Sequence, residues 1–133
     1  MNITPRKILM VHGDKEGRGK LAIMLARFGH CVSFFDGATK PEISADEYDL
    51  IIVDEYLDRG AGFVFLHHLS LQYRAKTIFL SSGGAEERML CRDSIDIYEC
   101  LEKPVIPLDL AVVVCDFFIS CLPSEERMVS VSL

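Results

Sequence analysis

The sequence predicts an open, doubly wound α/β fold built on a five-stranded parallel sheet, and three observations lead there. The runs Ile8 to Val11, Leu50 to Val53 and Ile78 to Leu80 are continuously apolar, as strands buried on both faces are. Segments with helical spacing lie between them. The alternation of strand and helix, repeated five times in 133 residues, is the order that stacks helices on both faces of one sheet.

Taken in order, the first strand is Ile8 to Val11, and Asp14 is placed to cap the helix after it. Leu21, Met24, Leu25 and Phe28 recur at i, i+3, i+4 and i+7, and Gly29 ends the helix. Gly17 and Gly19 weaken its first turns by about 1 kcal/mol each relative to alanine. Cys31 to Phe35 and Tyr98 to Leu101 are weaker strands. Pro41 interrupts Ala38 to Tyr48, so a short or irregular second helix is expected there. Phe63, Leu66 and Leu69 or Ser70 mark a third helix. Pro107 opens the last one, Leu108 to Leu122, and Pro123 closes it.

The bulk properties exclude several classes. Half of the residues are apolar, too many for a disordered chain, and the net charge of −6 argues against non-specific nucleic-acid binding. No apolar run reaches the length of a membrane span, and the first residues lack the layout of a signal peptide. Five cysteines without a CxxC spacing read as reduced, largely core residues of a cytoplasmic protein. His67 and His68 are adjacent, so on a helix they diverge by about 100° and read as a solvated face, not a metal site.

In a doubly wound sheet the binding crevice lies at the carboxyl ends of the strands. The residues there are His12, Gly13 and Asp14 after the first run, Asp54 after Leu50 to Val53, Ser81 after Ile78 to Leu80, and Lys103 with Pro104 after the last strand. A carboxylate, a hydroxyl and an ammonium converging on one crevice suit phosphoryl chemistry, with Asp54 as nucleophile and Ser81 and Lys103 as donors to phosphoryl oxygens.

Up to about Leu122 the sequence resembles the receiver domain of response regulators. Lys7 to Asp14 is similar to the family's first strand, and Tyr48 to Asp54 to the strand that ends in the phosphoacceptor. Gly62 follows Asp54 by eight residues, Ser81 stands at the threonine or serine position, and Lys103–Pro104, 22 residues further on, matches the lysine–proline pair. The resemblance implies a flavodoxin-like, CheY-like (βα)5 fold with strand order 2-1-3-4-5, a receiver domain over residues 1–122 and a flexible tail over 123–133. It also implies a cis Lys103–Pro104 bond and a phosphoprotein of a two-component phosphorelay. Such a protein is a cytoplasmic signalling module rather than an enzyme, with a histidine kinase, an output domain or another signalling protein as partner.

Several positions depart from the pattern. The family's adjacent acids after the first strand hold Mg²⁺; here those positions are His12 and Gly13, and Asp14 comes one residue late. Asp54 and the Tyr56 carbonyl remain as vestigial ligands, with Glu55 expected to point away, so Mg²⁺ binding is expected to be weak or lost and no cofactor is expected. Cys100 replaces the aromatic that changes rotamer in the family, and Leu57-Asp58 replaces Met-Pro. His12 is expected beside Asp54, either protonated as a substitute cation or neutral and bonded to a backbone carbonyl.

The leading reading is an atypical receiver in which phosphorylation of Asp54 is weak or absent. The alternative is a competent receiver phosphorylated on Asp54 by a histidine kinase. A remote alternative, a nucleotide- or flavin-binding protein, lacks its glycine-rich loop in His12-Gly13-Asp14-Lys15. In Leu108 to Leu122 only Asp109, Asp116 and Ser120 are polar. That apolar excess predicts a protein partner, or a homodimer, through the fourth helix, fifth strand and fifth helix.

Overall fold

The computed structural model describes residues 5–35, 47–57 and 60–123. Five parallel strands form one sheet: β1 (Lys7–Val11), β2 (Cys31–Phe35), β3 (Leu50–Asp54), β4 (Thr77–Ser81) and β5 (Glu99–Glu102). Their spatial order is β2-β1-β3-β4-β5, the doubly wound arrangement the sequence implies. A two-residue antiparallel ladder, Tyr56–Leu57 against Gly60–Ala61, follows β3.

Burial explains the apolar runs. Every residue of β3 and of β4 is buried, as central strands between helices require. Alternate residues serve opposite faces. Ile8, Met10, Leu50, Ile52, Ile78 and Leu80 face α1 (Lys15–Arg27) and α5 (Pro107–Ser120). Leu9, Val11, Ile51, Val53 and Phe79 face the other layer, where Leu66 of α2 (Gly62–His68), Tyr73 of α3 (Leu71–Arg74) and Ile95 of α4 (Ala85–Ile95) cover them. Each fully buried aliphatic side chain in these layers contributes roughly 1.5–3 kcal/mol of transfer free energy.

Local signals set the helix ends. Asp14 caps α1 by accepting from the Gly17 N–H at 3.2 Å. At the other end Gly29 takes φ +87°, and the His30 N–H reaches back to the Leu25 carbonyl at 3.2 Å. Pro107 is the first residue of α5.

The third helix forms over Gly62–His68, and Ser70, extended at ψ 162°, separates it from the further short helix α3. Cysteines are not mostly core residues, because Cys31 and Cys121 are exposed, Cys115 is half-buried and only Cys100 of those described is buried. On α5 part of the apolar excess is buried and part is left exposed. Leu110, Ala111, Val114, Phe117 and Phe118 are buried, whereas Leu108, Val112 and Ile119 are exposed beside Asp109 and Asp116. The irregular helix expected from Ala38 onwards lies mostly outside the described residues, as does the tail from residue 124. Among the described residues no helix is long and apolar enough to cross a membrane.

Candidate functional site

The crevice at the carboxyl ends of β1, β3 and β5 is an open cleft of about 520 Å³, lined by His12, Gly13, Asp14, Asp54, Tyr56, Lys103 and their neighbours. Asp54, the last residue of β3, is 2% exposed. Its Oδ2 accepts from the Tyr56 N–H at 2.9 Å and from Lys103 Nζ at 3.1 Å. Its Oδ1 accepts no aligned hydrogen bond but lies 2.9 Å from the same ammonium and 3.4 Å from His12 Nε2. Lys103 follows β5, and its Nζ also stands 5.3 Å over the Tyr56 ring. The Lys103–Pro104 peptide is cis.

His12 is buried and held from three sides. Its N–H donates to the Phe35 carbonyl at 3.0 Å, its carbonyl accepts from Arg18 Nη1 at 3.1 Å, and its Nδ1 accepts from the Asp14 N–H at 3.1 Å. A ring nitrogen that accepts carries no proton, so the imidazole is neutral with its hydrogen on Nε2, which lies 3.4 Å from Asp54 Oδ1 without an aligned hydrogen bond. Burial pushes its pKa below the usual 6.5; the Asp54 charge opposes this and the Lys103 charge adds to it. The expectation of a protonated His12 with a raised pKa is therefore reversed. The neutral alternative needs amending too, since the ring bonds a backbone N–H instead of a carbonyl.

Glu55 corrects a second expectation. It does not point away. The parallel register pairs Asp54 with Leu80, which sets Glu55 abreast of Ser81. Its Oε2 accepts from the Ser81 hydroxyl at 3.2 Å, and its Oε1 accepts from the Ser82 N–H at 2.9 Å and from the Ser82 hydroxyl. Lys103 Nζ is 3.9 Å from Oε1. Burial would raise the Glu55 pKa, but the hydrogen bonds from Ser82 and Ser81 and the Lys103 charge outweigh it, and the net shift is downward. Chain adjacency to Asp54 hid this, because strand alternation stops applying where the chain turns. The neighbouring hydroxyls of Ser81 and Ser82 were the available signal.

The structure thus brings His12, Asp54, Ser81 and Lys103 to one end of the sheet. Gly13 carries no side-chain donor there, and Asp14 is exposed and capping α1. Gly62 packs on the backbone of Asp54 and donates its N–H to the Glu55 carbonyl at 2.9 Å. Cys100 lies in the α2–α4 layer against the core, away from solvent.

These residues do not fit a Mg²⁺ ion. Such an ion needs an octahedron of oxygen donors around one or two free carboxylates. Here the β1 side offers an imidazole and a glycine, and an ammonium sits within 3.1 Å of both Asp54 oxygens. Among the described residues no three His, Cys, Asp or Glu side chains converge on a point suited to a metal.

The overall geometry is that of known receiver domains. The BeF3-activated DrrB receiver domain gives a TM-score of 0.69 at 20% identity, covering 86% of this chain and 98% of that one. The response regulator DrrB, a Thermotoga maritima OmpR/PhoB homologue, gives 0.70 at 21% identity over 86% of this chain and 53% of that one. The chemotaxis response regulator CheY4 of Vibrio cholerae gives 0.66 at 20% identity over 85% and 98%. The chain has the CheY-like fold of response regulator receiver domains. No family model matches the sequence, and no curated protein does.

Proposed function

We propose that the chain is an atypical receiver module of a two-component phosphorelay, in which Asp54 accepts a phosphoryl group weakly or not at all. It acts by contacting other proteins, a histidine kinase, an output domain or a further signalling protein, and catalyses no reaction of its own. The single observation that carries this reading is the buried His12 imidazole 3.4 Å from Asp54 Oδ1. It takes the side of the carboxylate where the resemblance would place metal-binding acids, and Gly13 beside it adds no oxygen. Without a divalent ion, Lys103 is the cation among the described residues that contacts Asp54 and could balance the charge of an incoming phosphodonor. Cytoplasmic location and a contact surface on α4, β5 and α5 belong to the same proposal.

Intact mass after incubation with acetyl phosphate, with and without Mg²⁺, tests it. The parent should show no Mg²⁺-dependent gain of a phosphoryl group, and His12→Asp/Gly13→Asp should show one. A second reading, a competent receiver phosphorylated by a histidine kinase, draws on the contact of Lys103 with Asp54. A Mg²⁺-dependent gain in the parent that disappears in Asp54→Asn would select it.

A further inference from the structure

Ser81 and Lys103 are the two donors that a phosphoryl group on Asp54 would use, and both already face another anion. The Glu55 carboxylate accepts from the Ser81 hydroxyl with one oxygen and from the N–H and hydroxyl of Ser82 with the other, while Lys103 Nζ lies 3.9 Å from it. That donor set, a hydroxyl, a backbone N–H and an ammonium around anionic oxygens, is what stabilises a transferred phosphoryl group.

The loop after β4 is fastened to match. The Gly83 N–H donates to Ser81 Oγ at 3.1 Å, and the Ser81 carbonyl accepts from the Lys103 N–H at 2.9 Å. Arg88 of α4 holds the Gly83 carbonyl and lies 3.6 Å from Glu102 at the end of β5. The hydroxyl of Ser81, the start of α4 and the end of β5 are therefore tied together around Glu55.

We propose that the Glu55 carboxylate is an internal substitute for a phosphoryl group, seating the Ser81–Lys103 pair and the β4–α4 loop as an anion-occupied receiver would hold them. This rests on the receiver reading of the crevice and extends it: the module is latched in one state by its own side chain. An exogenous phosphoryl group would have to displace Glu55 before it could engage Ser81.

Amide hydrogen exchange by NMR tests the latch, with inorganic phosphate as the anion probe, on the parent, Glu55→Ala and Glu55→Gln. In Glu55→Ala the Ser82 amide should exchange at least about tenfold faster, as expected for loss of a charge-assisted hydrogen bond. The Lys103 amide, bonded to the Ser81 carbonyl, should keep its protection and so report an intact fold. Phosphate should shift the Ser82 amide resonance in Glu55→Ala and leave it unmoved in the parent. Should Glu55→Ala lose protection throughout, Glu55→Gln, which keeps the shape and removes the charge, is expected to change in the same direction. Ser82 exchange equal to within about twofold in all the folded proteins would overturn the latch, as would phosphate shifts of equal size in parent and Glu55→Ala. The receiver reading is judged separately by phosphoryl transfer from acetyl phosphate, which does not depend on these amides.

Discussion

A β-carbon on Gly62 would stand 1.9 Å from the carbonyl oxygen of Asp54. No side chain fits there, so the chain can turn from β3 into α2 this tightly only with glycine at that position. The contact is to backbone, which cannot swing aside. Gly62→Ala should therefore cost about 1–3 kcal/mol, the range for forced overpacking. Denaturant midpoints check this, and the substitution should also shift the Asp54 and Glu55 amide resonances.

Lys103 compensates a carboxylate that is almost wholly buried, while its own side chain is 26% exposed. Lys103→Met leaves the buried Asp54 without its cation and should destabilise the fold by roughly 2–3 kcal/mol, below the full range for a broken buried pair because the lysine is partly solvated. In Asp54→Asn/Lys103→Met the loss should be smaller than in Lys103→Met alone. A double-mutant cycle by urea denaturation measures the coupling, and strict additivity would contradict the pairing.

The lowered His12 pKa sets a pH dependence with a definite sign. The unfolded chain takes up a proton near 6.5, whereas the folded chain resists until a lower pH. Stability from a neutral His12 is thus complete above 6.5 and is lost as pH falls through the folded-state pKa. NMR should place the His12 midpoint below 6.5 with the proton of the neutral form on Nε2. In Asp54→Asn the midpoint should fall further, because the larger of the two carboxylate influences raising it, Asp54 ahead of Asp14, is removed. An unchanged midpoint would show that the two side chains do not interact.

On α5 the inward and outward residues predict different outcomes for one kind of substitution. Phe117 is buried, with its ring 4.8 Å from Tyr98 and edge-on to it. Phe117→Glu should abolish folding. Val112 is 59% exposed, and Val112→Glu should leave the melting temperature nearly unchanged. If α5 forms the proposed contact between copies, the parent sediments as a dimer and Val112→Glu as a monomer. A monomeric parent would remove self-association and leave a different protein as the partner.

Composition and periodicity by themselves determined the layered α/β class, while the strand order came from the resemblance to receiver domains. Uninterrupted apolar runs such as Leu50 to Val53 can be satisfied only between two helical layers, and Asp14, Gly29 and Pro107 mark helix ends through local backbone chemistry. Because side chains at strand ends gather at one edge of a parallel sheet, the convergence of His12, Asp54, Ser81 and Lys103 was legible as well. The tertiary structure alone decided how those groups pair. The lowered pKa of His12 depends first on its burial under segments remote in the chain. The position of Glu55 depends on a register that sets it beside Ser81, a residue 26 positions away in sequence. Hydrogen bonding and desolvation are set by distances between segments remote in the chain, and no local pattern encodes those distances.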